Sequence, residues 1–444
     1  MNDRQKSTRR EFMSGAVGLT LTGAMMKAGK AAQDSPEVNY DEAKVPPYTL
    51  PDPLVMKDGS RVATAADWRQ RRRPELLRLF SEHVYGRTPE AQIRQRVEQV
   101  ERSEQALEGQ AERAQYRVVL GEEPRAVEAH LLVYLPQRRT GPAPVFLGLN
   151  FPGNHGVTHE PEVLINPGWF ADQPRGLHPG NRASEKNRGE QASRWSLAMA
   201  VERGYGVATA YYGDFDPDYD DGFRNGVHPL LDPPGTDDPN RPADAWGSIG
   251  AWAWGLSRLY DALEGIEGVD RDRVIVMGHS RLGKAALWAG AQDERFALVI
   301  SNESGCGGAA LSKRIYGETV GRINRTFPHW FCDQFATYNE NEVALPVDQH
   351  ELLALIAPRP VLVCSAEEDR WADPRGEFLA CVGADPVYRL LGTDGLETKE
   401  MPAVNQPVLS TIGYHIRPGE HDVKPRDWEV YLDFADRHLK PAGT

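Results

Sequence analysis

The sequence predicts a three-layer α/β sandwich, with a mostly parallel central sheet covered by helices on both faces. Three observations carry this expectation. Short, continuously apolar runs alternate with helical patterns, as strands buried on both faces and joined by crossover helices must. One such run ends in Gly278-His279-Ser280 and leads directly into a helix of small residues. A histidine-bearing loop precedes the final helical pattern.

The elements follow in order. Glu37 to Val62 holds several prolines and reads as an extended arm, within a segment 33–67 that precedes one catalytic domain spanning 68–444. Pro74 to Val84 is expected as a helix, with Pro74 in its first turn where a missing N–H costs nothing. Tyr116–Leu120 and Ala129–Leu135 read as strands of a sheet that begins antiparallel. Val145–Leu149, Gly206–Tyr212, Arg273–Met277, Leu298–Ser301 and Val361–Ser365 read as buried strands, and Ile412–Ile416 as an apparent one. Ser196–Glu202, Trp246–Leu263, Gly283–Gly290 and Trp428–Leu439 read as helices. The polar stretches near 157–190 and 213–245 are expected as long loops, which in compact domains usually serve function.

Composition narrows the classes of function. The chain has 444 residues, and 40% of them are hydrophobic, enough for a large core. Its formal net charge of −13 argues against a nucleic-acid partner, which needs a concentrated basic face. Arg71-Arg72-Arg73 reads as a solvated stretch before a helix. The four cysteines, Cys306, Cys332, Cys364 and Cys381, form no C-x-x-C pair, so zinc and thioredoxin-like chemistry lack support. One or two disulfides, or buried free thiols, are the open alternatives. No cofactor and no metal are expected, and a monomer is.

Residues 1–32 read as a cleavable signal. Arg9 and Arg10 precede Phe12, and Met13 to Met26 is uncharged but shorter than the ~20 residues that span a bilayer. The arginine pair resembles the twin-arginine type, which implies export to a bacterial periplasm or beyond, with no membrane attachment after cleavage.

Val274 to Lys284 is the most informative segment. An apolar strand running through Gly278 and Ser280 into a helix is the context of a nucleophile elbow, and it points to the α/β-hydrolase fold. Such a turn exposes the Ser280 hydroxyl and aims the helix N-terminus at developing negative charge. The Arg281 N–H is the expected oxyanion donor, and the Arg281 guanidinium could support it, the alternative being a surface ion pair. The pattern departs from G-x-S-x-G, because Leu282 stands where the second glycine falls and Gly283 comes one later. Lys284 shares a helix face with Ser280 and is expected in the pocket wall.

In this fold the chain order is nucleophile, acid, histidine. Of the 12 histidines, only His415, His421 and His438 follow the last buried strand. His415 falls within the apparent strand and His438 within the final helix, where a surface position is expected. His421 lies in the loop between them and is the expected general base. Two acids qualify, each just past a strand end: Glu303 and Asp369. The residues alone do not rank them. Asp214 to Gly222 alternates carboxylates, but Tyr219 occupies the position where a calcium loop needs glycine, so a solvated acidic loop is expected.

With these residues in view, the chain resembles carbohydrate esterase family fifteen, the glucuronoyl esterases. The resemblance rests on Gly278–Lys284, Asn302–Gly308, Phe327-Pro328-His329-Trp330-Phe331 and the His421 loop, with Arg188-Gly189-Glu190 and Tyr212-Gly213-Asp214 in support. Fungal members carry cysteine at the position of His279, so the similarity is to the bacterial branch. The resemblance implies cleavage of esters between glucuronoyl units of xylan and lignin alcohols, through an acyl-enzyme on Ser280. It implies an acid at Glu303, often a second at Asp369, and sugar-hydroxyl contacts from Lys284, Glu318 and Trp371. The competing readings are an acetyl or other carbohydrate esterase of the same fold, and a carbohydrate-binding protein with a disabled triad.

Overall fold

The computed structural model describes residues 37–233 and 240–439, and the expected signal at 1–32 lies outside the described residues. The core is one sheet of nine strands: β1 (Gln95–Gln105), β2 (Ala111–Leu120), β3 (Val127–Pro136), β4 (Ala143–Asn150), β5 (Gly206–Tyr211), β6 (Val269–His279), β7 (Leu298–Asn302), β8 (Val361–Ala366) and β9 (Ile412–Arg417). Their order is β1-β2-β3-β5-β4-β6-β7-β8-β9. The first three and β5 pair antiparallel, and from β5 through β4 to β9 all pairings are parallel.

Strand periodicity builds the three layers. Along β4, Val145, Leu147 and Leu149 point into one core, while Phe146 points into the other. Along β6, Val274 and Val276 face the first core, and Ile275 and Met277 the second. The first face is covered by helices Ser248–Leu263, Arg281–Gln292 and Pro374–Leu390, through residues such as Trp252, Trp288 and Phe378. The second is covered by Leu197–Glu202 and Pro425–Leu439, through Val201, Trp428 and Phe434. Each large apolar side chain so buried contributes roughly 1.5–3 kcal/mol. The expected sandwich is therefore borne out.

One local expectation differs from the structure, two elements escape the sequence, and the cysteine alternatives are resolved. The Arg71–Arg73 run is not simply solvated. The Arg72 side chain is buried, and its guanidinium donates to Glu75 at 2.5 Å and Glu351 at 2.7 Å. Arg73 donates to Ala291 O at 2.7 Å, tying the helix Arg73–Phe80 to the helix after Ser280. The strand β1 and the helix Pro374–Leu390 were not legible. The first is polar on both faces and is held by cross-strand pairs such as Arg117 with Glu98 at 2.5 Å. The second contains Pro386, which disguises it. All four cysteines are buried free thiols, so the disulfide alternative falls.

Candidate active site

The parallel half of the sheet explains where the candidate residues meet. β6, β7, β8 and β9 are consecutive neighbours, so the loops leaving their C-terminal ends are side by side. Ser280 follows β6, Glu303 follows β7, Asp369 follows β8 and His421 follows β9. One edge thus gathers four residues that are far apart in sequence.

The turn at Ser280 is strained, with φ 59° and ψ −129°. Such a conformation costs a non-glycine residue about 1–3 kcal/mol and persists only where its surroundings dictate it. Here the Ser280 N–H donates to Asn302 O at 2.9 Å, and Ser280 O accepts from Gly283 N–H at 2.9 Å. Gly278 is required, since a Cβ there would lie 2.0 Å from Leu282 O. Gly283 is close-packed too, with Ser304 Cβ 3.0 Å from where its own Cβ would stand. This explains the departure from G-x-S-x-G: Leu282 packs into the core, and close packing falls on the next residue. Arg281 begins the helix, so its N–H has no intrahelical acceptor.

His421 keeps its side chain 41% exposed, above a polar floor. Its Nδ1 lies 2.6 Å from Asp369 Oδ2 and 3.1 Å from Glu303 Oε2. Burial works against a charged ring there, but hydrogen bonds to Asp369 and Glu303 and their charges outweigh it, raising the pKa to about 9. Glu303 is itself fixed: Arg417 Nη2 donates to Oε1 at 2.6 Å and the Asp422 N–H donates to Oε2 at 2.9 Å. Burial pushes the Glu303 carboxyl up.

Arg281, next to Ser280, turns to a different set of partners. Its guanidinium pairs with Asp218 and lies over the Trp330 ring at 4.6 Å. Asp218 also accepts from His329 Nε2 at 2.8 Å, Trp330 Nε1 at 2.7 Å and the Tyr212 hydroxyl at 3.1 Å. Burial opposes the Asp218 charge, but Arg281 and His329 overcome it and hold the carboxyl well below its ordinary range. The acidic loop is therefore not solvated as expected: the side chains of Asp214, Asp216 and Asp218 are all buried.

Lys284 is buried on the helix face below Ser280. Its Nζ donates to Ser304 O at 2.5 Å and Cys306 O at 2.7 Å, and stands 3.9 Å from Glu318 Oε2. Burial lowers the Lys284 pKa and raises that of Glu318. Trp371 remains 39% exposed beside them, and its carbonyl accepts the Glu318 N–H at 2.9 Å. His415 and His438 stand apart from this cluster, as expected. His415 is buried in β9 against Asp427, and His438 Nε2 meets Leu409 O at 3.1 Å.

A model of fungal glucuronyl esterases matches residues 241–392. Carbohydrate esterase MZ0003, from an unknown prokaryotic organism, is 51% identical over 402 residues, covering 90% of this chain and 92% of that protein. A solved structure described as a promiscuous CE15 esterase, from a marine bacterial metagenome, is also 51% identical, with a TM-score of 0.85 over 91% of this chain and all of that one (100%). The chain belongs to carbohydrate esterase family 15. The glucuronoyl esterase from Solibacter usitatus is a further relative, 45% identical with a TM-score of 0.84, covering 90% of this chain and 100% of that one.

Several residues of this family-15 site escaped sequence reasoning. Asp218 was hidden in an acidic run. Arg417 falls just past the expected strand Ile412–Ile416, and it bridges Glu303 and Asp427. His279 is buried, with its ring 4.5 Å from that of His421 and its Nδ1 accepting from Asn302 Nδ2 at 2.9 Å. Burial and the charges of His421, Arg194 and Arg417 hold its pKa well below the ordinary value, so it stays neutral. Glu377 lies beneath the Glu303 loop, accepting from Ser365 Oγ at 2.5 Å and Gly305 N–H at 3.0 Å. Nothing in the sequence marks it, because its partners come from β8 and from the loop that follows β7.

Proposed function

We propose that this chain is a serine esterase that hydrolyses esters between 4-O-methyl-glucuronoyl units of glucuronoxylan and lignin alcohols. The observation that carries the reading is the shared Nδ1 of His421, held by Asp369 at 2.6 Å and Glu303 at 3.1 Å, with the His421 ring 4.5 Å from that of His279, the residue before the strained Ser280. Family membership and the glucuronoyl esterase activity named for the Solibacter usitatus relative support it.

Ser280 Oγ attacks the uronoyl carbonyl and gives its proton to His421 Nε2. The carbonyl oxygen becomes an oxyanion near the Arg281 N–H and guanidinium, and Asp218 fixes the latter in place. The imidazolium is stabilised by the two carboxylates at Nδ1, and it then protonates the departing alcohol. Water activated by His421 releases the glucuronate and restores Ser280. Lys284 has three donors and two backbone acceptors within bonding distance, which leaves one for a sugar hydroxyl beside Glu318. Trp371 would cover the sugar from the exposed side.

Turnover of methyl and benzyl glucuronate by wild type and Ser280→Ala tests the reading, with acetylated xylan alongside. Equal rates for the two proteins would remove the serine mechanism. Faster turnover of acetylated xylan would favour a broader carbohydrate esterase, a second reading supported by the relative described as promiscuous.

Arg9 and Arg10 ahead of the uncharged Met13–Met26 stretch support export by a twin-arginine signal, and the protein would act as a monomer outside the cytoplasm. No helix among the described residues is long and apolar enough to cross a membrane. Accumulation in the periplasm that survives Lys replacement of both arginines would count against that signal type.

A further inference from the structure

The N-terminal arm reaches the edge of the candidate site. The Gly317 N–H donates to Asn39 O at 2.9 Å, and Asn39 Nδ2 donates to Ile315 O at 3.4 Å. The neighbouring Glu318 N–H donates to Trp371 O. Gly317 permits this layering, since φ is +62° and a Cβ there would lie 2.5 Å from Trp371 O. Three segments that are distant in sequence, 39–40, 315–318 and 370–372, therefore lie against one another at the mouth of the site.

Two aromatic rings remain open on these segments. Tyr40 is 38% exposed and Trp371 39%. Each has a guanidinium over it: Arg370 Cζ lies 5.1 Å from the Tyr40 centroid, and Arg322 Cζ 5.7 Å from that of Trp371. Burial raises the pKa of the Tyr40 hydroxyl, against the opposing charges of Arg322 and Arg370. Tyr316 supports the ring from behind, with centroids 6.2 Å apart and its hydroxyl donating to Tyr40 O at 3.2 Å.

Open rings flanked by cationic donors suit a pyranose chain. The C–H faces of the sugars pack on the rings, and their hydroxyls accept from the guanidinium groups. This patch continues from Glu318 and Trp371, the residues assigned to the sugar side of the ester. We propose that Tyr40, with Arg322 and Arg370, forms a shelf that receives the xylose chain carrying the glucuronoyl unit. The arm is then part of the substrate site, and the assignment rests on the esterase reading above.

The test compares kcat/KM for methyl glucuronate with that for the methyl ester of a glucuronoyl xylotriose. Tyr40→Ala is expected to lower the ratio of the second to the first by about five- to tenfold, mainly through KM, and Tyr40→Phe to retain it. A ratio unchanged in Tyr40→Ala, in a protein that melts with wild type, overturns the shelf. So does a loss confined to benzyl glucuronate, which would assign the patch to the alcohol. Calorimetric binding of the unesterified glucuronoyl xylotriose to Ser280→Ala, with and without Tyr40→Ala, reads the shelf without turnover. If wild type cleaves no glucuronate ester but Tyr40→Ala still weakens this binding, the esterase reading fails and the shelf stands. Equal binding would overturn the shelf alone.

Discussion

His421 Nδ1 lies 2.6 Å from Asp369 and 3.1 Å from Glu303, so one imidazole N–H faces carboxylates from two neighbouring strand ends. The two acids are not equivalent. Glu303 also accepts from Arg417 and from the Asp422 N–H in the His421 loop, so it braces that loop as well as the ring. Asp369 makes the shorter contact to the ring. Two acids on one N–H also mean that either can orient the imidazole once the other is gone.

Redundancy predicts a non-additive pair of variants. Asp369→Asn and Glu303→Gln are each expected to lower kcat by only about three- to tenfold, and the double variant by about 10³- to 10⁴-fold, more than the product of the two, since only then does the ring lose every anionic partner. Glu303→Gln is also expected to lower Tm, because it leaves the buried Arg417 with one carboxylate partner fewer. Steady-state kinetics and thermal melts of the three proteins check this. Equal kcat in wild type and the double variant would contradict the shared-acid arrangement.

The same geometry fixes a pH dependence. Burial disfavours charge on His421, but Asp369 and Glu303 raise its pKa to about 9, so the free enzyme holds it as imidazolium at neutral pH. Only the neutral ring can take the Ser280 proton. kcat/KM should therefore rise with pH along a limb displaced upward from an ordinary histidine, near 6.5. Asp369→Asn should move that limb to lower pH. Stability has the opposite sign. A folded-state pKa above the unfolded one contributes stability that is fully present below about 6.5 and is lost as pH rises through about 9. Tm compared at pH 6 and pH 10 in wild type and His421→Ala isolates this part.

Much of this site was legible because its chemistry is local. The strand, Gly278, Ser280 and the helix behind them lie in one segment, and the order Ser280, Glu303, Asp369, His421 follows from consecutive parallel strands. The fold's buried strands were legible for the same reason, since β4, β5, β7, β8 and β9 are buried along their whole length. What escaped depends on pairs made across the fold. Asp218 becomes a buried partner of Arg281 only when a loop folds back over Trp330. Tyr40 acquires a neighbourhood only when the arm lies against 315–318. β1 lacks an apolar face, so its pairing is invisible until Glu98 and Glu101 meet Arg117 and Arg113.

Asp218 should act on catalysis through Arg281. Arg281→Ala removes the proposed side-chain support of the oxyanion and is expected to lower kcat by about 10²-fold with a smaller change in KM. Asp218→Asn keeps the guanidinium but unpairs it, so kcat should fall less, while stability drops by about 3 kcal/mol as a buried charge loses its partner. Arg281→Lys should not restore wild-type rates, because an ammonium cannot both pair with Asp218 and lie flat on Trp330. Rates and melts of the three variants, with Asp218→Asn at least as slow as Arg281→Ala counting against this division, settle the order.

The two glycines around Ser280 should differ in severity. At Gly278 a methyl group would meet Leu282 O at 2.0 Å, Leu282 C at 2.3 Å and Gly283 N at 2.7 Å, all backbone atoms of the turn itself. Gly278→Ala must therefore open the turn, withdraw the Arg281 N–H from the oxyanion position and abolish activity. At Gly283 the nearest atoms are Ser304 Cβ at 3.0 Å, Gly278 O at 3.1 Å and Ser301 Oγ at 3.2 Å, so a shift of a few tenths of an ångström would admit the methyl. Gly283→Ala should thus fold with Tm lowered by only a few degrees, about 1 kcal/mol in stability, and keep measurable turnover. Activity and melts of the two variants decide the matter, and a Gly278→Ala protein with wild-type kcat would mean that this turn does not position the reacting serine.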